Sequence, residues 1–294
     1  MDAGGSLRAV AGPWAPGRPQ RNRPEGTRTV PDVALSLRNL RVRYAHSDLD
    51  AISDVSLELG PEKIAIVGPN GSGKTTLLKA TLGLAPVSGG SVHVLGHDVR
   101  TVRGELGVGT NLEEVYRLMT VPVDGLIAIW AGLTGGPEEE IRRWISEFGL
   151  SGVLARPLFR LSTGQSKMIA DLLALAFSPR LVLLDEPFDN VDFGRRRRYI
   201  DLLNRTAAAV ALSTHELDLL PALPEWGLYF MFEGRLIGRF RAGDIDRLHV
   251  SRGHRPDALA TFRTSIGDVS VTLDRGDVPL KGVSNLGYLL DRIA

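Results

Sequence analysis

The chain has 294 residues, 43% of them apolar and 23% charged, and a net charge of +1 at pH 7. That balance describes one sizeable globular domain with appendages and gives no overall field for nucleic acid. There is no cysteine, which excludes disulfides and cysteine-ligated zinc or iron–sulfur centres and fits a cytosolic setting. No apolar run approaches the roughly 20 residues of a membrane span, so any membrane role has to run through a partner.

Residues 1–31 are rich in Gly, Pro and Arg and poor in large apolar side chains, so they read as a disordered basic tail. They lack the apolar centre of a secretory signal. From Val33 the pattern changes. Residues 33–44 and 52–59 alternate as strands do, and Gly60-Pro61-Glu62 turns the chain. Residues 63–67 form a short β-branched run of the kind a buried strand needs, and residues 76–82 space their apolar positions as a helix does.

Between that strand and that helix lies Gly68-Pro69-Asn70-Gly71-Ser72-Gly73-Lys74-Thr75, followed by Thr76. The spacing is G-x-x-x-x-G-K-T in the strand-to-helix context that gives the motif its meaning. Glycines let the backbone turn its N–H groups inward around phosphate oxygens, and the helix start adds its positive dipole end. Lys74 supplies a point charge to the outer phosphates, and the Thr75 hydroxyl is a ligand for Mg²⁺.

Residues 91–95 read as another strand, and residues 112–155 as a helical insertion with helices over 112–118, 123–131 and 137–148. In the last, Ile141, Ile145 and Phe148 recur at helical spacing behind Glu138, Glu139 and Glu140. A second parallel unit follows: helix 165–177, strand 181–185, helix 193–206, strand 209–214. Strands at 227–232 and 235–241 come next. The last fifty residues suggest a helix, strands at 261–265 and 269–273, and a closing helix. The whole predicts an α/β phosphate-loop core with an antiparallel side sheet and a helical insertion, over residues 32–243. A small α+β extension covers 244–294.

The strand at 181–185 ends in Asp185-Glu186. Asp185 at its tip is placed to hold a Mg²⁺-bound water, and Glu186 to polarise a water in line with a γ-phosphate.

With these motifs on one chain, the sequence resembles the ATP-binding subunits of ABC transporters over about 33–240. Leu161-Ser162-Thr163-Gly164-Gln165 resembles the LSGGQ signature, with Thr163 in place of the first glycine. Alone, it is also an ordinary helix cap. The resemblance implies head-to-tail pairing of two such subunits, as a homodimer or with a paralogue. Each ATP would lie between one copy's phosphate loop and the Ser162, Gly164 and Gln165 of the other. It also implies that Tyr44 stacks on adenine, local packing being the alternative. Asp192 falls in the D-loop as the subunit-crossing residue, with Phe188-Asp189 before it structural. His215 is the switch histidine that orients the attacking water. The family's Q-loop glutamine is replaced by Asn111, one methylene shorter. Either Asn111 still ligates the metal, or that contact is lost.

These readings converge on a Mg²⁺-dependent ATPase, binding ATP and Mg²⁺ and driving transport through separate transmembrane permease subunits on the cytoplasmic face. Catalysis is assigned to Glu186, His215 and Lys74, and metal binding to Thr75, Asn111 and Asp185. A non-transport ATPase of cofactor assembly and a non-hydrolysing regulatory subunit remain as alternatives. Nucleic acid is not an expected partner, and Arg195-Arg196-Arg197-Arg198 reads as a solvated helix face.

Overall fold

The computed structural model describes residues 30–102, 107–116, 119–265, 267–283 and Leu286. All but the last two residues of the expected tail lie outside the described residues, as does nearly all of the expected closing helix. Three strands open the described chain: β1 (Leu35–Val42), β2 (Ile52–Leu59) and β3 (Lys63–Val67). The second half of β2 alternates buried and exposed positions, as a strand with one wet face does, whereas β3 is buried from Ile64 onward. The loop after β3 leads into α1 (Lys74–Thr81), which starts two residues before the expected helix. Next come β4 (Val87–Val94), β5 (His97–Asp98) and β6 (Val108–Thr110).

The helical middle holds α2 (Glu113–Tyr116), α3 (Val123–Thr134) and α4 (Glu138–Glu147). Ile141, Ile145 and Phe148 are buried, as their spacing predicts. Helix α5 (Thr163–Leu175) is followed by β7 (Leu181–Asp185), α6 (Phe193–Arg205) and β8 (Ala209–Thr214). Strands β9 (Gly227–Phe232) and β10 (Arg235–Arg241) close this part of the chain.

Six strands form the central sheet in the order β10-β9-β3-β8-β7-β6, all parallel except β10. A separate antiparallel sheet runs β2-β1-β4-β5. Alternate residues of the central strands enter two different cores. Ile64, Ile66, Leu181, Leu183, Ala209 and Ala211 face α1 and the side sheet. Ala65, Val67, Val182, Leu184, Val210 and Leu212 face the helices α3 to α6. Covering on both faces is why these strands read as unbroken apolar runs. The register sets Val67 beside Thr214 and Asp185 beside Ser213, so β3, β7 and β8 end at one level. In parallel sheets ligands bind outside such carboxyl ends.

The C-terminal region departs from expectation. A short 3-10 segment, Ala242–Arg247, replaces the leading helix, and four strands replace two: β11 (Leu248–Arg252), β12 (Ala260–Thr264), β13 (Gly267–Leu273) and β14 (Val278–Pro279). They form an antiparallel sheet in the order β12-β13-β11-β14. Leu248, Val250, Val269 and Val271 join the same core as Phe230 and Phe232. The Phe232 and Phe262 rings stack with centroids 5.3 Å apart. The β9–β10 turn puts Glu233 and Gly234 at φ 45° and 74°, the twist a two-residue hairpin needs. Glu233 accepts hydrogen bonds from Ser265 N at 3.0 and 3.1 Å, joining this hairpin to the β12–β13 turn. Next to it, Gly234 N donates to Ser72 O at 2.9 Å, bracing the loop after β3 from behind.

Candidate functional site

Residues 68–75 form a tight loop between β3 and α1. Gly71 and Gly73 hold φ of 80° and 107°, the left-handed region that favours glycine. A side chain at Gly68 would put its Cβ 2.3 Å from the Met231 carbonyl oxygen, so only glycine fits. Lys74 is 5% exposed, and its Nζ donates to Gly68 O at 2.8 Å and Pro69 O at 3.1 Å. The same nitrogen lies 3.2 Å from Glu186 Oε1. The buried Ser72 Oγ has no hydrogen-bond partner among the described residues. A loop of this kind, opening a helix whose first-turn N–H groups lack intrahelical acceptors, is a ready site for phosphate oxygens.

The acidic end of β7 faces this loop. Thr75 Oγ1 donates to Asp185 Oδ2 at 2.7 Å, and Ser213 Oγ, at the matching level of β8, donates to Asp185 Oδ1. A hydroxyl and a carboxylate in contact are hard oxygen donors, and they fit Mg²⁺. Glu186 sits at φ 46° and is held by its neighbours: its N–H donates to Ser213 O at 3.0 Å, and its Oε2 accepts from His215 N at 3.1 Å. His215 Nδ1 lies 3.0 Å from the same Oε2. The structure therefore brings Lys74, Thr75, Asp185, Glu186 and His215 into one cluster at the carboxyl ends of three adjacent strands. Asp189, expected to be structural, also reaches it, its Oδ1 4.0 Å from His215 Nδ1.

Asn111 lies beside this cluster, with its amide bound at both ends. Oδ1 accepts from Asp185 N at 2.8 Å, and Nδ2 donates to Asp185 O at 3.1 Å and to Asp171 Oδ1 at 2.6 Å. Asp171, in the middle of α5, is wholly buried, and burial pushes its carboxyl up to about 8. Sequence reasoning missed it. The only available signal was one acid among Met168, Ile169, Leu172 and Leu173, all buried on the same helix.

The remaining expected residues lie apart from the cluster. Ser162 and Gln165 cap α5 reciprocally: Ser162 Oγ accepts from Gln165 N at 3.3 Å, and Gln165 Oε1 from Ser162 N at 3.2 Å. This accounts for the helix beginning at Thr163 rather than Gln165. Ser162 and Thr163 are exposed, while Gly164 packs so closely on Asn190 that an added Cβ would lie 2.7 Å from its carbonyl oxygen. Asp192 caps α6, accepting from Arg195 N at 3.1 Å. Tyr44 stands beside α1, its hydroxyl 3.5 Å from Thr76 Oγ1, and it is 40% exposed. Asn70 and Gly71 are at the loop's outer turn. A cleft of about 460 Å³ runs from Thr75, Asn111 and Asp185 to the exposed Phe159.

A family profile described as "ABC transporter" matches residues 52–189, a span that holds the phosphate loop, the start of α5 and the acidic end of β7. The taurine import ATP-binding protein TauB of Pseudomonas putida is 33% identical over 267 residues, covering 88% of this chain and 98% of that protein. The aliphatic sulfonates import ATP-binding protein SsuB 2 of Burkholderia cenocepacia (strain HI2424) is 32% identical over 197 residues, covering 65% of this chain and 72% of that one. Among solved structures, the crystal structure of a protein assigned as a cobalt transport ATP-binding protein (cbiO-2) matches with a TM-score of 0.81. It is 32% identical, over 87% of this chain and 99% of that one.

Proposed function

This chain belongs to the ABC transporter family of ATP-binding proteins, and on that premise we propose that it is a Mg²⁺-dependent ATPase that works as a head-to-tail pair. The pair drives transport through separate membrane subunits at the cytoplasmic face. The observation that carries this reading is the convergence of Lys74, Thr75, Asp185, Glu186 and His215 at the ends of β3, β7 and β8. Loop amides and Lys74 hold the phosphates. Thr75 and Asp185 hold Mg²⁺, which when bound neutralises phosphate charge. As phosphate oxygens become acceptors for Lys74, Glu186 Oε1 is released to take a proton from the attacking water. His215, fixed against Glu186 Oε2, orients that water and the γ-phosphate. Ser162, Gly164 and Gln165 come from the second copy. In this chain they lie at the exposed start of α5, whose capped N-terminus offers N–H groups to an anion. Tyr44 supports the adenine and Asp192 the contact between copies.

The import functions named for the relatives support a transport role, and the cleft between Asn111 and Phe159 is the proposed seat for the membrane subunit. One observation favours a slower enzyme as the second reading: the Asn111 amide is already bound at both ends to the Asp185 backbone.

The test is the Glu186→Gln variant. Turnover is expected to fall by about 10³-fold, the scale of a lost general base. ATP binding is expected to persist, and the mass in Mg-ATP to double. A variant that stays monomeric with every candidate membrane component present overturns the reading. Wild type and variant equally inactive under those conditions would make this a binding subunit only.

A further inference from the structure

Asp171 is a buried acid that the proposed chemistry does not use. Its side chain is out of water on α5, and Oδ2 has no hydrogen-bond partner among the described residues. Burying a carboxylate with one of its oxygens unpartnered opposes folding, and an apolar residue would fill the place without that penalty. The other oxygen shows what the acid does. Asp171 Oδ1 accepts from Asn111 Nδ2 at 2.6 Å, the shortest of the three bonds to that amide.

The remaining two bonds run to the backbone of Asp185. Strand β6 ends its backbone pairing at Thr110, opposite Leu183. Beyond that point the Asn111 amide takes over, giving Asp185 an acceptor for its N–H and a donor for its C=O, as a neighbouring strand would. An amide can be turned end for end about its last torsion. Turned, it would set its oxygen against the Asp171 carboxyl and its NH₂ against the Asp185 N–H. Asp171, taking the second N–H of Nδ2, anchors the amide in the sense that the Asp185 N–H and C=O require. The chain of contacts continues outward through the Asp185 carboxylate to Thr75 and Ser213. It also runs back along α5 to Ser162 and Gln165 at the helix start.

We propose that Asp171 is a positioning residue for the metal-binding carboxylate: by anchoring the Asn111 amide it holds Asp185 in place, and it ties that placement to the helix that begins at Ser162. This rests on the reading of Asp185 and Thr75 as the Mg²⁺ ligands. Supporting residues behind metal ligands characteristically change metal affinity about 10–100-fold when removed.

The experiment compares Asp171→Leu, similar in size but without an acceptor, with Asp171→Asn, which keeps an acceptor oxygen. Mn²⁺ affinity is measured by electron paramagnetic resonance on the full-length chain with ATP bound. Fluorescent-nucleotide affinity without metal and the melting temperature are measured in parallel. Asp171→Leu is expected to weaken Mn²⁺ about 10-fold and leave metal-free nucleotide affinity within about 2-fold. Asp171→Asn is expected to stay within about 3-fold of wild type in both. Asn111→Leu breaks the same link from the other side. It should reproduce the selective metal loss, and the double variant should add nothing to it. Should Asp171→Leu fail to fold, Asp171→Ala, which leaves the Asn111 bonds to Asp185 in place, decides under the same criteria. Wild-type Mn²⁺ affinity in a folded Asp171→Leu or Asn111→Leu overturns the proposal, as does an equal loss of metal and metal-free nucleotide binding. Failure of the underlying reading looks different: the wild-type chain itself would bind neither nucleotide nor Mn²⁺.

Discussion

The phosphate loop and the start of α5 are assigned to one reaction but are built in opposite ways. Around the loop, each functional side chain meets one distant in sequence: Lys74 meets Glu186, Thr75 meets Asp185, and His215 meets Glu186. At the start of α5 the bonds are local, within Ser162–Ser166, and Ser162 and Thr163 face solvent. The first region is preorganised by the fold, so a single chain carries it complete. The second needs only a helix cap to form, and under the proposed pairing its outward N–H groups meet their ligand on another copy. Substitutions at the loop should therefore show in a monomer, and those at the α5 start only in the pair.

The largest effect on ATP affinity is expected at Lys74. Replacing it with Ala removes the charged contact to phosphate and leaves Glu186 without its cation. ATP affinity, followed by fluorescence titration of the monomer, should fall about 100-fold, the equivalent of about 3 kcal/mol. A near-normal affinity would show that the loop does not organise the site.

The next effect sharpens the link between the regions. Burial raises the Asp171 carboxyl to about 8, well above the ordinary carboxylate range. The folded chain then keeps a proton that the unfolded chain gives up. Stability from this group is complete below about pH 4 and is lost progressively as pH rises toward about 8. Asp171→Asn cannot titrate. Its melting temperature relative to wild type should therefore climb between pH 5 and pH 8. A constant difference across that range would mean that Asp171 is ionised throughout.

At the other region, Ser162→Asp keeps the cap acceptor but sets a negative charge where the proposed pairing brings the second copy's phosphate. Turnover should drop about 10-fold, while stability moves by less than about 0.5 kcal/mol and monomer ATP affinity stays unchanged. A loss of monomer affinity would erase the contrast between the two regions. The smallest effect is expected for Tyr44→Ala, about 5-fold in ATP affinity for a lost stacking contact of about 1 kcal/mol, with GTP and ATP affected alike. No change would leave Tyr44 as a local packing residue.

The strands nearest the chemistry were the most legible. Residues 181–185, 209–214 and 227–232 are strands over the ranges read from sequence, because burial on two faces writes itself as an apolar run, and the edge strand 235–241 also keeps its range with Ile237 alone buried. The start of β4 was not legible. Ser88, Gly89 and Gly90 look like a loop, yet they pair with β1 across a bulge, and Gly90 is packed so tightly on Arg38 that an added Cβ would lie 2.3 Å from its carbonyl oxygen. Strands β11 and β14 went unread for a related reason. Their pairing is with segments far along the chain, and β14 is two residues long. At the site, motifs marked the groups that touch ligand, because spacing within a loop or at a strand end carries that information. Asp171 carries no such spacing; its partner Asn111 is 60 residues away.

The two hairpin tips that meet through Glu233 and Ser265, with Phe232 stacked on Phe262 beneath them, bear on how the protein can be handled. Trimming the chain after Arg241 to obtain a minimal ATPase would strip the cover from an aromatic wall just behind the nucleotide's seat. Such a fragment would be expected to clump on purification, and its inactivity would say nothing about catalysis.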